Sequence, residues 1–454
     1  MRPPNNSSPL GESAEPLYSD IDYFTQLPPE LLTEIAKYSH INGIRQVEQP
    51  VLSLTEHYLK PVLSLAAVSR KLRSIATREP CLWGHIRINT RTTDEEVIIA
   101  CLERSMNHPL SILWIGEGDL RESLVEMIVK HSHRWISFDL VSAISTYLNS
   151  FMRGPFWNVK APILKRFYVA CTAEDAGEES FGENCFDFPS IQHIKLYRYP
   201  FPEIHTMKIL TRLEFEAPKG GEFSFESLAL VAENLTRLEY LNLQNALDFD
   251  GNPQLTGRPD RITWPSLLEL AIWGEKTAEG FIWRYLQLFQ APKLRKFVAI
   301  SPDSKDFKTL NTTAARIAAN IPLVKEVTLI CHHIDATTGR KLFVFFPKTT
   351  HLSLCDYPCE GRKPFFNTFF YPNGLSNTKI WPDLGSITLG YIQDEKLLRS
   401  IVDCLQHRKK NGFPVAKIFI PGGQALTARE LRPVHVDLCV VDIPSFTDYG
   451  FKPQ

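Results

Sequence analysis

Long apolar runs are missing from this 454-residue sequence, none approaching the ~18 to 20 uninterrupted apolar residues that a bilayer-crossing helix needs. The opening Met1-Arg2-Pro3-Pro4-Asn5-Asn6-Ser7 also has no apolar h-region of a secretory signal. Charge of one sign is missing too: 50 Lys and Arg stand against 51 Asp and Glu, a net charge of −1. A generic nucleic-acid or anionic-membrane binder needs a basic field, so neither partner is expected. Cysteine is sparse and odd in number, at positions 81, 101, 171, 185, 331, 355, 359, 404 and 439. Such spacing in a long chain points to free thiols in a reducing compartment rather than a disulfide framework. The expected location is cytoplasmic, nuclear or both. The Asn-x-Ser/Thr matches at Asn6, Asn234 and Asn311 therefore carry no weight.

Catalytic motifs are absent as well: there is no G-x-x-x-x-G-K-[ST], G-x-G-x-x-G, G-x-S-x-G or H-E-x-x-H. Asp248-Phe249-Asp250-Gly251-Asn252 resembles the start of a calcium loop, but Pro253 stands at position six and Pro259 at position twelve, which need Gly and Glu. The one metal-like grouping is Cys355 and Cys359 with His351, Cys331, His332 and His333. It lacks the paired tight spacings of a zinc site, so free thiols and surface histidines are expected. His407-Arg408-Lys409-Lys410 closes a helical pattern, where the macrodipole favours cations. The sequence thus gives no reason to expect an enzyme, a cofactor or a metal.

What is present is ordinary globular composition, 44% hydrophobic and 22% charged, enough to bury a large core. Residues 1–22, rich in Pro, Asn and Ser, read as a disordered leader, and 441–454 as a tail. Leu27-Pro28-Pro29-Glu30-Leu31-Leu32 opens a helix, with prolines at its start, an early glutamate, and Leu31, Leu32, Ile35 and Ala36 along one stripe. Residues 63–76 read as a second helix through Leu65, Val68, Leu72 and Ile75, spaced 3, 4 and 3. Pro80-Cys81-Leu82-Trp83 and a short alternating strand, His85–Asn89, follow.

Leu-Pro-x-Glu-Leu-Leu-x-x-Ile, the Val-Ser-Arg-Lys-Leu-Arg-Ser-Ile-Ala helix and Pro-x-Leu-Trp, in this order, resemble an F-box domain over residues 23–85, and its fungal form most. Leu72 replaces the usual aromatic of the second helix, and about residues 40–60 form an insertion, expected to be a surface excursion. The resemblance implies docking on the small adaptor of an SCF-type cullin-RING ubiquitin ligase. Leu27, Pro28, Leu31, Ile35, Val68, Leu82 and Trp83 would form the apolar contact, with Trp83 the leading hot spot.

Residues 86–440 contain a repeat. Pro-x-apolar-x-x-apolar-x-apolar recurs at Pro162, Pro189, Pro265, Pro322 and Pro382, and in weaker form elsewhere. The anchors 162, 189, 208, 236, 265, 292, 322, 347 and 382 differ by 27, 19, 28, 29, 27, 30, 25 and 35. These steps lie mostly within or close to the ~20 to 29 residues of leucine-rich repeats, in which a strand alternates with a return segment. Helices are expected over 223–235, 277–290, 305–321 and 393–411, capped at Gly412, with another over 119–133 and a capping box at Thr93 and Glu96. The predicted fold is α/β: a small helical F-box followed by an irregular leucine-rich-repeat solenoid with a parallel sheet on its concave face.

Because strand side chains alternate, offsets +5 and +7 from each anchor point into the core and +6 and +8 onto the concave face. That places Tyr168, Lys195, Tyr197, Glu214, Glu216, Asn242, Gln244, Ala271, Trp273, Thr328, Ser353 and Thr388 on one surface, the expected site of a protein target. The expected role is target recognition for a ubiquitin ligase. The alternative is a repeat scaffold outside any ligase, its N-terminal helices serving only as a cap.

Overall fold

A computed structural model describes residues 27–47, 60–116, 121–154, 156, 159–172, 188–199, 207–218, 225–246, 261–273, 281–300, 314–330, 342, 344–355, 381–389, 395–421 and 437–441. The expected leader, most of the expected tail, the calcium-like loop, and Cys331, His332, His333 and Cys359 lie outside the described residues.

The first elements among the described residues are three helices: α1 (Pro29–Val47), α2 (Lys60–Val68) and α3 (Arg70–Arg78). Helix α1 runs into the expected insertion, whose remainder, 48–59, is outside the described residues. The single helix expected over 63–76 is two. Ser69 is extended (φ −153°, ψ 161°) and its side-chain oxygen accepts the Leu72 N–H at 3.1 Å, so a serine read as part of a helix is the N-cap that starts a new one. Lys71 Nζ donates to Leu27 O at 2.7 Å, tying the start of α1 to α3. Leu32, Ala36, Val62, Leu72 and Ala76 face inward.

The rest is a mixed α/β arrangement built on one fourteen-stranded parallel sheet, in which spatial order follows chain order. The strands are β1 (His85–Asn89), β2 (Leu110–Gly116), β3 (Trp135–Ser142), β4 (Arg166–Cys171), β5 (His193–Tyr197), β6 (Arg212–Glu216), β7 (Tyr240–Gln244), β8 (Glu269–Trp273), β9 (Lys296–Ile300), β10 (Glu326–Ile330), β11 (His351–Cys355), β12 (Ser386–Leu389), β13 (Lys417–Pro421) and β14 (Asp437–Val441). Between them lie α4 (Glu95–Arg104), α5 (Glu122–Val129), α6 (Ser145–Arg153), α7 (Phe225–Asn234), α8 (Phe281–Leu288), α9 (Ala314–Asn320) and α10 (Glu395–Lys410). Helix α10 ends at Gly412 with φ +81°, the left-handed C-cap expected there. Helix α4 is capped by Asp94, whose carboxylate accepts from Glu96 N–H, while Thr93 turns to the Asn89 N–H. The capping-box expectation was thus one residue early. Helix α6 was not expected at all.

The repeat has a backbone signature. The carbonyl at offset +3 from each anchor accepts two successive N–H groups of the next repeat: Lys165 O from Gln192 and His193, Gln192 O from Thr211 and Arg212, and so on to Gly385 O from Ala416 and Lys417. All nine anchors obey it. Most anchors also sit second in a turn closed by an N–H at +2 to a carbonyl at −1, as in Leu164 to Ala161 and Leu384 to Trp381. Proline suits that second position because its φ is already set.

Every +5 side chain from Phe167 through Ile194, Leu213 and Leu241 to Ile387 is at most 2% exposed, and all lie in one pairing register. Offset −1 is equally buried, by Phe188, Trp264, Phe346 and Trp381 among others. An aromatic column reinforces the early repeats, with Trp135 and Phe138 centroids 4.7 Å apart and Phe138 and Phe156 5.0 Å apart. The buried cluster runs unbroken from Ala36 and Val62 through Leu82, Trp83 and the whole sheet, so the helices and the sheet share one core.

The turn geometry separates two kinds of substitution. Phe188→Ala should cost about 3 to 5 kcal/mol, because a buried ring leaves a cavity. Pro189→Ala beside it should cost at most about 1 kcal/mol, acting mainly through the unfolded chain. Urea unfolding of both variants measures the difference, and equal losses would refute this division of roles.

Candidate functional site

Two surfaces hold the expected site residues. On α1, Leu32 and Ala36 turn inward, whereas Leu31 (52% exposed) and Tyr38 (70%) turn outward with half-buried Ile35 between them. The spacing 31, 35, 38 is one helical face. The single stripe read from the sequence is therefore two. Val68 (64%) and Leu63 (54%) are exposed on α2, which packs beside α1; Pro28 is exposed and Leu27 half-buried. Leu63 and Tyr38 were not among the expected residues, although the spacing from Leu31 to Tyr38 carried the signal.

Leu82 and Trp83 are a correction. They are 0% and 3% exposed and cannot meet a partner in this conformation. Trp83 Nε1 donates to Ala76 O of α3 at 2.6 Å, and the Arg104 guanidinium of α4 lies 4.4 Å from the ring centre. Gly84 follows because a Cβ there would come within 2.8 Å of both His108 and the Pro109 carbonyl. The Leu-Trp pair is the joint between helices and sheet.

On the sheet, pairing aligns Tyr168, Lys195, Glu214, Asn242, Ala271, Val298, Thr328, Ser353 and Thr388 in one row across β4 to β12. A second row begins Tyr197, Glu216, Gln244, Trp273, Ile300, Ile330. The register read from the sequence is correct. Exposure is lower than expected: Glu216, Asn242, Gln244, Ala271, Thr328 and Ser353 are buried, and Tyr168, Lys195, Tyr197, Glu214, Trp273 and Thr388 half-buried. Neighbours about 4.8 Å away on both sides shield short side chains in the middle of a sheet. Ala271, Val298, Ile300 and Ile330 form a small cluster separate from the main core, with Trp273 against it. Val298, Ile300 and Ile330 were missed, though strands apolar at successive positions, Phe297 to Ile300 and Leu329-Ile330, marked them.

Strands β3 to β7 carry a polar network on the same face. Glu214 meets Arg212 Nε at 2.8 Å, His193 Nε2 at 3.2 Å and Lys195 Nζ at 3.3 Å. Arg166 pairs with Asp139 at 3.1 Å and Arg198 with Glu216 at 3.0 Å. Arg198 has a left-handed φ of 50°, held by its N–H to Glu216 O at 2.8 Å. Three cations lie over tyrosine rings: Lys195 over Tyr168 at 5.4 Å, Arg198 over Tyr197 at 5.2 Å and Arg212 over Tyr240 at 3.8 Å. The four cations against Asp139, Glu214 and Glu216 give 4 − 3 = +1, so the network is nearly neutral and self-paired. Burial raises the Glu214 carboxyl pKa, but hydrogen bonds from His193 and Arg212 and the charges of Lys195 and Arg212 outweigh it and hold the group well below the carboxylate range. Burial keeps His193 below its ordinary value despite Glu214. A carboxylate only accepts, so neutral His193 carries its proton on Nε2.

His351 is caught between two hydroxyls, Nδ1 at 2.6 Å from Ser386 Oγ and Nε2 at 3.1 Å from Thr388 Oγ1, which leaves neither ring nitrogen aimed outward. Burial, helped by Glu79, raises the Cys81 thiol to about 12, and burial raises Cys101 to about 11, opposite to what an activated nucleophile needs. Among the described residues no group of His, Cys, Asp and Glu could hold a metal ion, and no helix is long and apolar enough to cross a membrane. No protein-family model and no curated protein matches the chain.

Because the folded pKa of Glu214 lies below the unfolded value of ~4.3, its stabilisation is fully present above that value and fades as pH falls through the folded pKa. Glu214→Gln should therefore be less stable than the parent by a constant gap from pH ~7 down to ~5, narrowing below that toward pH ~3. A gap that does not change over that range in denaturant titrations would remove Glu214 from the centre of the network.

Proposed function

We propose that the chain is the substrate-receptor subunit of an SCF-type cullin-RING ubiquitin ligase, with α1 to α3 as an F-box and the sheet as an irregular leucine-rich-repeat solenoid. The observation that carries this reading is the outward apolar face of α1 and α2, where Leu31, Leu63 and Val68 are each more than half exposed on helices fixed to a long repeat. Large apolar side chains left exposed side by side on neighbouring helices mark a protein-interaction site. In this reading the adaptor meets Pro28, Leu31, Ile35 and Val68, while Leu82 and Trp83 hold the helices in place. The repeat presents the tyrosine-backed network and the Trp273 region to a target protein, and catalysis belongs to other subunits.

Leu31→Lys with Val68→Lys should abolish co-purification of the adaptor while leaving the melting temperature within a few degrees of the parent, since both side chains already face solvent. A folded double variant that still binds the adaptor would overturn the F-box assignment. Trp83→Ala should instead lower stability by about 3 kcal/mol or more, through the core rather than the contact.

A second reading is favoured by one feature. Leu82 and Trp83 lie in the core shared with the sheet, as they would if the helices served only to shield the first strand. A repeat scaffold outside any ligase would then show no adaptor binding by the unmutated chain. Within the first reading, Tyr197→Ala with Trp273→Ala should weaken target capture and spare the adaptor; unchanged target recovery after proteasome blockade would move the target elsewhere.

A further inference from the structure

The overall charge conceals a separation. Because all fourteen strands are parallel, their leading turns lie along one edge of the sheet. The nine turn segments 161–166, 188–193, 207–212, 235–240, 264–269, 291–296, 321–326, 346–351 and 381–386 hold ten Lys and Arg against four Asp and Glu. That edge is 10 − 4 = +6, which leaves −1 − 6 = −7 for the remainder of the chain. The density peaks on the turns before β9, β10 and β11, where Lys293, Arg295, Lys296, Lys325 and Lys348 face one acid, Glu326. Lys296 is bound to Glu269 at 3.3 Å. Lys293, Arg295, Lys325 and Lys348 are exposed and form no ion pair with a described residue.

An apolar group sits among them. Leu323 is 42% exposed and occupies the same turn position, offset +1, as Lys293 in the preceding repeat and Lys348 in the following one. With strands about 4.8 Å apart, the three side chains stand in a row roughly 10 Å long. Nucleic acid could be met by the cations alone, and a single strand would add stacking on exposed aromatics. On the β9 to β11 turns the aromatic ring, Phe346, is 1% exposed and turned inward, and an aliphatic side chain is offered instead. A polypeptide, which brings carboxylates and apolar groups on one chain, is the better complement.

We propose that the leading edge of β9 to β11, centred on Leu323, docks an acidic segment of a partner polypeptide that presents an apolar side chain to Leu323 and carboxylates to Lys293, Arg295, Lys325 and Lys348. This rests on the proposed function only in taking that partner to be the target; the docking itself requires no adaptor.

The test uses the full chain and a short fluorescent peptide of Asp and Glu around a Leu-Phe pair, read by anisotropy. The expected result is binding that weakens with salt and is absent for the same peptide with Lys in place of its acids. Arg295→Glu with Lys325→Glu, and separately Lys293→Glu with Lys348→Glu, should each weaken it by about tenfold or more. Leu323→Ser should weaken it severalfold at every salt concentration. Lys165→Glu with Lys208→Glu, on the same edge but at β4 to β6, should change it by less than about twofold. The idea is overturned if the parent does not bind the acidic peptide, or if all three charge reversals act alike. It is overturned too if a DNA oligonucleotide binds more tightly than the peptide and is indifferent to Leu323→Ser. Adaptor co-purification by the same variants is a separate readout: its loss with edge binding intact counts against the ligase reading alone.

Discussion

One carbonyl per repeat fixes this architecture. At offset +3 it receives two N–H groups from the next repeat, and this locks each strand in register with its neighbour before any side chain is placed. A slip of one residue would carry every apolar side chain to the other face. Register therefore decides at once that Phe167, Ile194 and Leu213 are core and that Tyr168, Lys195 and Glu214 are not. The network around Glu214 exists because three successive strands, β4 to β6, bring Tyr168, His193 and Lys195 alongside Glu214 and Arg212. Strand order brought the contributions of β4 and β5 to Glu214, across about twenty to fifty residues of chain.

Much of this was legible in the sequence because the repeat states it many times. All nine anchors fell at the right residue, including Lys208 and Thr236, which are not prolines, since the carbonyl lies three residues beyond each. The buried −1 position escaped because Ala161, Phe188, Met207 and Trp381 share size with nothing and polarity only with one another. Pattern reading weights identity, whereas a turn corner accepts any apolar group that fills its gap. Helix α6 escaped for a related reason: Ser145, Asn149 and Ser150 dilute a strong inward face of Tyr147, Leu148, Phe151 and Met152.

The sites were less legible than the fold. Leu82 and Trp83 carry a strong motif, but a motif records which residues recur and not whether they face a partner or the chain's own core. Leu31 and Leu32 are adjacent and chemically equal, and only the packing of α2 and α3 against α1 sends one outward and the other in. Ser69 could extend a helix or begin one, and its neighbours in three dimensions made the choice. The charged edge was hidden by summation, because +6 and −7 cancel in a count that ignores where the turns lie.

The joint at Trp83 has a mechanical side. With its indole bonded to α3, its face under Arg104 of α4, and its neighbour Leu82 in the common core, no flexible tether separates the first three helices from the sheet. The described helices and the first strands are thus joined by packed side chains rather than by a linker. In the proposed function, an adaptor on the helices and a target on the sheet would have an effective concentration for each other set by that packed joint and not by a linker's length.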